Sequence, residues 1–256
     1  MSGSKYINTG KCIWCGRSFP DVSFKTKPHI LPGSLGGEEI GVDVCDECNH
    51  AFGTSSAGRP SPDLVFKEVF AITRFMCSNL DENSYKQLHS IFFKYHHNTR
   101  TLSISKAFNT KAITRQFKRG LYEVFLQKYH LFTGDGNNPK FAALRDFARY
   151  DRGDLRVFYA FNNIVLTEDR NLPPSLKISD VGIEEMNQNG AFMFWLYGHP
   201  FFMEVFPTIF NVRGDQYLKN AANTYLINIW GNERIYELRD IMQIDFLMQR
   251  FSHDPE

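Results

Sequence analysis

The chain has 256 residues, 43% apolar and 15% aromatic, with 24 Phe, enough for a packed core and unlike a disordered or fibrous chain. Its 29 Lys and Arg balance 28 Asp and Glu, so overall charge points to no partner. At ~150 residues per domain this length makes one large domain, or a small module joined to a larger body. The first ten residues are polar and lack the apolar core of a signal peptide. The most apolar stretch, 191–206, is interrupted by Gly198-His199-Pro200 and carries Glu204, short of the ~20 residues of a membrane span. A cytoplasmic protein without membrane contact is expected.

Four of the five cysteines fall in two pairs, Cys12-x-x-Cys15 and Cys45-x-x-Cys48. Cys77 lies in an apolar stretch and reads as core. A two-residue spacer lets both sulfurs of a pair reach one ion. Two pairs supply the tetrahedron that Zn²⁺ accepts at about 2.3 Å per bond. Two disulfides are the alternative, which reducing conditions disfavour. A closed four-sulfur site has no open position, so its zinc would be structural.

Between the pairs lie 29 residues, more than the ~15–20 of a common zinc ribbon. They include Lys27-Pro28-His29-Ile30-Leu31-Pro32 and then Gly33-Ser34-Leu35-Gly36-Gly37, while Asn49-His50-Ala51-Phe52-Gly53 follows the second pair. Taken alone, His29 before two apolar residues would read as structural. In this order and spacing the segment from Cys12 to Gly53, about a fifth of the chain, resembles the zinc-stapled HNH endonucleases of the ββα-metal fold.

The resemblance implies two strands and a helix clasping one catalytic divalent ion, Mg²⁺ or Mn²⁺, with DNA as substrate. By position His29 matches the general base, Asn49 the metal ligand at the helix start, and Cys12, Cys15, Cys45 and Cys48 the structural zinc ligands. The residue types suit phosphodiester hydrolysis. A neutral imidazole can take a proton from water near neutral pH, and a hard cation neutralises a leaving oxygen. Gly33, Gly36 and Gly37 allow tight backbone beside a phosphate. Two positions depart from the family. Pro28 stands where Asp or Glu usually ligates the ion, and the residue that orients the base is not evident among Glu39-Ile40-Gly41-Val42-Asp43. Asp43, or failing it Glu39, is the candidate substitute.

Residues 53–62 read as a linker, dividing the chain into an HNH module (1–60), a mainly helical, basic, DNA-contacting region (61–152) and a mixed strand and helix region (153–256). The fold class is α+β. Apolar spacing predicts a helix from Asp63 to about Asn79 and a second from Glu82 to His96. Between Glu82 and Glu123 there is no acid, while Lys86, Lys94, Arg100, Lys106, Lys111, Arg115, Lys118 and Arg119 supply eight positive charges. On a helix Lys111, Arg115 and Lys118 form a stripe opposite Phe117, Leu121 and Phe125. Lys106, Lys111, Arg115, Lys118 and Arg119 are the candidate phosphate contacts.

Residues 155–166 and 191–210 read as strands of a small antiparallel sheet, closed by a helical or mixed segment at 216–251. His199 and its aromatic neighbours read as core. This end has 8 acids against 5 Lys and Arg from Pro200 onward, and is not the expected DNA face. Three functions compete: a metal-dependent endonuclease, which the resemblance extends to effectors of bacterial or phage conflict; a non-catalytic zinc finger binding nucleic acid or protein; and a nuclease subunit active only with a protein partner or as an oligomer, docked through the aromatic C-terminal half.

Overall fold

Helix α3 (Thr110–Thr133) runs through the middle of the protein and is buried on nearly every side from Ile113 to Tyr129. The computed structural model describes residues 6–56, 58–78, 89–96, 98–99, 101–160, 174, 176–225 and 235–246. Asn109 opens α3 by accepting a hydrogen bond from the Ala112 N–H at 3.2 Å, and Gly134, at φ +73°, ends it. Around α3 are packed α2 (Pro62–Ser78), α4 (Ala142–Tyr150) and a four-stranded sheet.

Helix α2 matches its predicted span and crosses α3 where Gly120 leaves room. A Cβ there would lie 2.9 Å from the Phe66 Cβ, so no larger residue fits without displacing α2. Phe66, Phe70, Phe117 and Phe201 interlock at 4.7–6.2 Å between ring centroids.

The sheet is antiparallel, in the order β4 (Ala191–Leu196), β5 (His199–Glu204), β3 (Val157–Tyr159), β6 (Tyr236–Glu237). Every residue of β5 is buried, because α3 with its aromatic cluster covers one face and α6 (Pro207–Tyr225) the other. Helix α5 (Asp180–Asn189) leads into β4. One hydrophobic core extends from Cys12 to Phe246 and includes residues of all three sequence regions.

Two predicted elements differ in form: the 191–210 strand stretch ends at Glu204, with Pro207 opening α6, and the second predicted helix ends as a strand. Phe93–His96, the end of the second predicted helix, is strand β1, paired antiparallel with β2 (Thr101–Ile104). The β-branched and aromatic residues of Phe93-Lys94-Tyr95-His96 and Thr101-Leu102-Ser103-Ile104 form a hairpin once each strand has a partner, a tertiary preference that overrides local helical spacing. Lys86, Arg100 and residues 161–166 lie outside the described residues, as does the Cys77 side chain. Among the described residues no helix is long and apolar enough to cross a membrane.

The basic stripe turns inward. Lys118 and Arg119 are 6% and 8% exposed. Lys118 Nζ meets Asp154 at 2.9 Å, and Arg115 Nε donates to Asp151 at 2.5 Å. Arg119 donates to the Gln116 side chain and the Ala148 carbonyl at 2.7 and 2.9 Å. Asp151, the left-handed C-cap of α4, draws in Arg115 and Arg119 and is also reached by Arg59 at 2.8 Å, while Asp154 takes Lys118. These three cations are therefore spent on holding α4 to α3, which corrects the expected solvent-facing stripe. Lys106 and Lys111 remain exposed.

His199 is buried, as its aromatic surroundings suggest. Asp245 N–H donates to the Tyr159 hydroxyl oxygen at 3.2 Å, and that hydroxyl lies 3.0 Å from His199 Nδ1. Nε2 meets Thr73 Oγ1 at 3.0 Å. Burial pushes the His199 imidazole down to about 3. Because the folded state holds it neutral, its contribution to stability is complete above the ordinary histidine range and is lost as pH falls from about 6.5 toward 3, at up to ~1.4 kcal/mol per pH unit. Denaturation midpoints measured between pH 7 and pH 4 should fall accordingly, and His199→Gln should flatten the dependence although it lowers stability at pH 7.

Candidate active site and metal centre

The zinc end of the module is assembled by two tight turns. Cys12 accepts the Gly16 N–H at 2.9 Å, closing the first turn, and Cys45 caps the start of α1 (Asp46–Gly53), which carries Cys48. All four sulfurs lie within 4.8 Å of one another, with Cys15 and Cys45 Sγ 3.7 Å apart. A tetrahedron of about 2.3 Å bonds has edges of about 3.8 Å, so the cluster is compatible with a structural zinc. Two donors already point at the sulfurs. Cys45 N–H lies 3.4 Å from Cys12 Sγ, and Arg149 Nε of α4 lies 3.3 Å from Cys48 Sγ. Trp14 and Phe52, at 4.7 Å between ring centroids, form the apolar floor.

From this staple the chain runs back toward His29. Asp46, at the start of α1, accepts hydrogen bonds from the Lys25 and Thr26 N–H groups at 2.8 and 2.7 Å and from the Ser23 and Thr26 hydroxyls at 2.5 and 2.7 Å. Although burial alone would raise it, these donors hold its carboxyl below the usual range. His29 pairs antiparallel with Ile40, flanked by Ile30 N–H to Glu39 O at 3.1 Å and Gly41 N–H to Pro28 O at 2.8 Å. Between these segments the expected two-stranded element is thus one isolated bridge. Gly37 locks its turn, since a Cβ there would lie 2.2 Å from the Leu31 carbonyl oxygen.

His29 and Asn49 come together in a cleft of about 500 Å³ between the module and α2, lined also by Lys27, Gly33, His50, Gly53, Asp63 and Lys67. His29 is exposed, its ring leaning over Gly33. Asn49 Nδ2 donates to Thr26 Oγ1 at 3.3 Å, which itself donates to Asp46. That chain turns the amide so that Oδ1 is the atom left for the cleft. Of the three glycines expected beside a phosphate, only Gly33 lines the cleft.

Neither candidate substitute for the missing acid reaches His29. Asp43 is completely buried at φ +57° and faces the opposite way. It accepts from Asn8, Thr9 and Gly10 N–H at 3.0, 2.6 and 2.9 Å, from the Thr9 hydroxyl at 2.7 Å and from His130 Nε2 at 3.0 Å. Gly136 N–H donates to His130 Nδ1 at 3.0 Å, so Nε2 carries the proton toward Asp43. Burial opposes ionisation here, and these hydrogen bonds outweigh it, keeping the Asp43 carboxyl below its ordinary range. Glu39 is committed to an ion pair with Lys128. Both expectations are therefore corrected: these acids anchor the module to α3.

His50 and Asp63 do not stand out in the sequence. His50 follows Asn49, and its exposed ring lies 3.2 Å from Thr54 Oγ1. Asp63 is half-buried at the start of α2, with its carboxyl against Glu123 of α3. Burial, together with the neighbouring Asp63 charge, pushes Glu123 well above the usual carboxylate range, and burial pushes Asp63 upward as well. Both shifts favour the uncharged carboxyl. No local pattern shows this, because it depends on how α2 packs across α3.

Purified protein is expected to contain about one tightly held zinc. Cys48→Ser should release it and unfold the module, lowering the thermal transition, since loss of a structural zinc removes binding energy that is folding energy. Metal analysis with thiol titration of the native protein checks this.

No curated protein and no solved structure matches the chain. Over residues 12–59, the segment that carries the four clustered cysteines, His29, Asn49 and His50, the chain matches the HNH endonuclease family.

Proposed function

We propose that this protein is a metal-dependent DNA endonuclease with His29 as general base and Asn49 as a ligand of one catalytic divalent ion. The observation that carries this is the cleft. It brings an exposed imidazole and an outward-turned amide oxygen together within the segment matched to the endonuclease family. The oxygen-bearing lining suits a hard cation, Mg²⁺ or Mn²⁺. Such an ion would draw charge from the scissile phosphate and the departing oxygen.

The chain's own residues account for the remaining steps. His29 accepts a proton from the attacking water as a P–O bond forms. The phosphodiester P–O3′ bond then breaks, and the 3′-oxygen leaves to be protonated by solvent. Lys27 and Lys67 at the cleft rim offer charge to the flanking phosphates. The exposed Lys111 lies twelve residues along α3 from Glu123, about 18 Å away, a span of about five base steps of one strand. The division into an HNH module, a DNA-holding helical region and a C-terminal region that docks a partner is part of the same proposal, as is an effector role in bacterial or phage conflict.

Plasmid incubated with Mg²⁺ or Mn²⁺ should be nicked by the wild type and left intact in EDTA. His29→Ala should lower the rate by ~10²–10⁴ with zinc content unchanged. Asn49→Ala should be rescued in part by excess Mn²⁺, because it weakens the ion's site and spares the base. Retention of DNA without cutting under any metal would instead identify a binding module that lost its ligand at Pro28. Cutting only after a partner is added would identify a dependent subunit.

Binding is testable separately. Replacing Lys106 and Lys111 by Ala should reduce the log–log salt slope of DNA affinity by about 0.9 for each phosphate that the protein no longer neutralises. Lys118→Ala and Arg119→Ala should act on the thermal transition instead, since those side chains are buried against the protein itself.

A further inference from the structure

We infer that Asp63, on α2 and outside the segment matched to the family, supplies the anionic oxygen that Pro28 cannot, while Glu123 behind it acts as a positioning residue. This rests on the nuclease proposed above, and names the ligand that its departure at Pro28 leaves missing.

Of the described residues lining the cleft, Asp63 alone carries a carboxylate. None of the module's six acids lines the cleft, and four of them are engaged elsewhere. Asp43 is sealed behind the zinc loop, Glu39 pairs with Lys128, Asp46 holds residues 23–26, and Glu47 pairs with Arg17. Asp63 reaches the correct wall. A Cβ on Gly53 would lie 3.5 Å from Asp63 Oδ2. Gly53 follows Asn49 by four residues on α1, and such positions are neighbours on one helix face, about 5–6 Å apart. Asp63 Oδ2 therefore lies one helical turn from the Asn49 side chain. His29, Asn49 and Asp63 reach the same space from three separate segments.

A second observation is independent of the cleft lining. Glu123 is 4% exposed, and its Oε2 has no hydrogen-bond partner, while Oε1 accepts from Gln127 Nε2 at 3.2 Å. This carboxyl lies against that of Asp63. Glu123, buried and in contact with Asp63 from behind, limits the positions that carboxyl can take and so orients it toward the cleft. The Pro62 ring sits at the start of α2, where its fixed backbone angle presets the helix that presents Asp63.

The test is direct Mn²⁺ binding to the full-length, zinc-loaded protein, followed by the electron paramagnetic resonance of free Mn²⁺, in parallel with plasmid nicking. The wild type should bind one Mn²⁺, and Asp63→Asn should bind at least tenfold more weakly with zinc content and thermal transition retained. Glu123→Gln, which keeps the side chain's shape, should stay within about threefold of wild type, whereas Glu123→Ala should lose about tenfold. His29→Ala should bind Mn²⁺ like the wild type although it does not cut. Should Asp63→Asn lose its zinc or its transition, Asp63→Cys replaces it, with a shift of preference from Mn²⁺ toward Cd²⁺ expected and an unchanged preference overturning the inference. Undiminished Mn²⁺ affinity in Asp63→Asn, with weakened affinity in Asn49→Ala, overturns the role of Asp63 and leaves the nuclease standing. A wild type that neither binds Mn²⁺ nor nicks DNA overturns both.

Discussion

The fully buried carboxylate of Asp43 is the constraint on which the module's placement depends. A lone ionised group in such a site would be costly, so it persists only because every side of it faces a donor. Those donors come from two places distant in sequence, the N-terminal residues Asn8 to Gly10 and His130 of α3. The Asp43 carbonyl in turn receives Ile13 N–H at 2.9 Å, at the base of the zinc turn. One side chain and its own backbone thus join the amino terminus, the cysteine cluster and the central helix.

With that orientation set, α1 meets α2, and the cleft arises between them. The module contributes the imidazole and the amide, while the neighbouring helix contributes the carboxyl-bearing wall. The cleft is therefore not contained in the compact segment that matches the family. Tyr197, at the turn between β4 and β5, donates to the Leu35 carbonyl at 2.7 Å and so braces the glycine turn below His29 from the sheet side. Position at the cleft is controlled by the core as a whole.

How much of this was legible follows from the range of the interactions involved. The cysteine cluster and the match to the endonuclease family were readable because short spacers and a fixed order carry them. Helix α2 was readable from its apolar spacing. The fate of Arg115, Lys118 and Arg119 was not, because the acids that neutralise them, Asp151 and Asp154, lie more than thirty positions away and enter their surroundings only when α4 docks. The β1–β2 hairpin reads as helix in the sequence for the same reason, its partner strand being the deciding factor. Asp63 looks like an ordinary acid in the first turn of a helix. Its contact with Glu123 is made across sixty residues by the close approach that Gly120 permits.

The hydrogen bond from Arg149 to Cys48 has a consequence for how the protein would respond to oxidants. Thiolates that ligate zinc are also the atoms an oxidant attacks, and their oxidation expels the metal. Here one of those sulfurs is held by an arginine two residues before Asp151, the carboxylate that gathers Arg59 and Arg115 around the end of α4. Damage at the staple would be transmitted through the last turn of α4 to the arginines that bind it to α3. Oxidative loss of the metal would thus disarm the cleft and loosen the helical body in a single event.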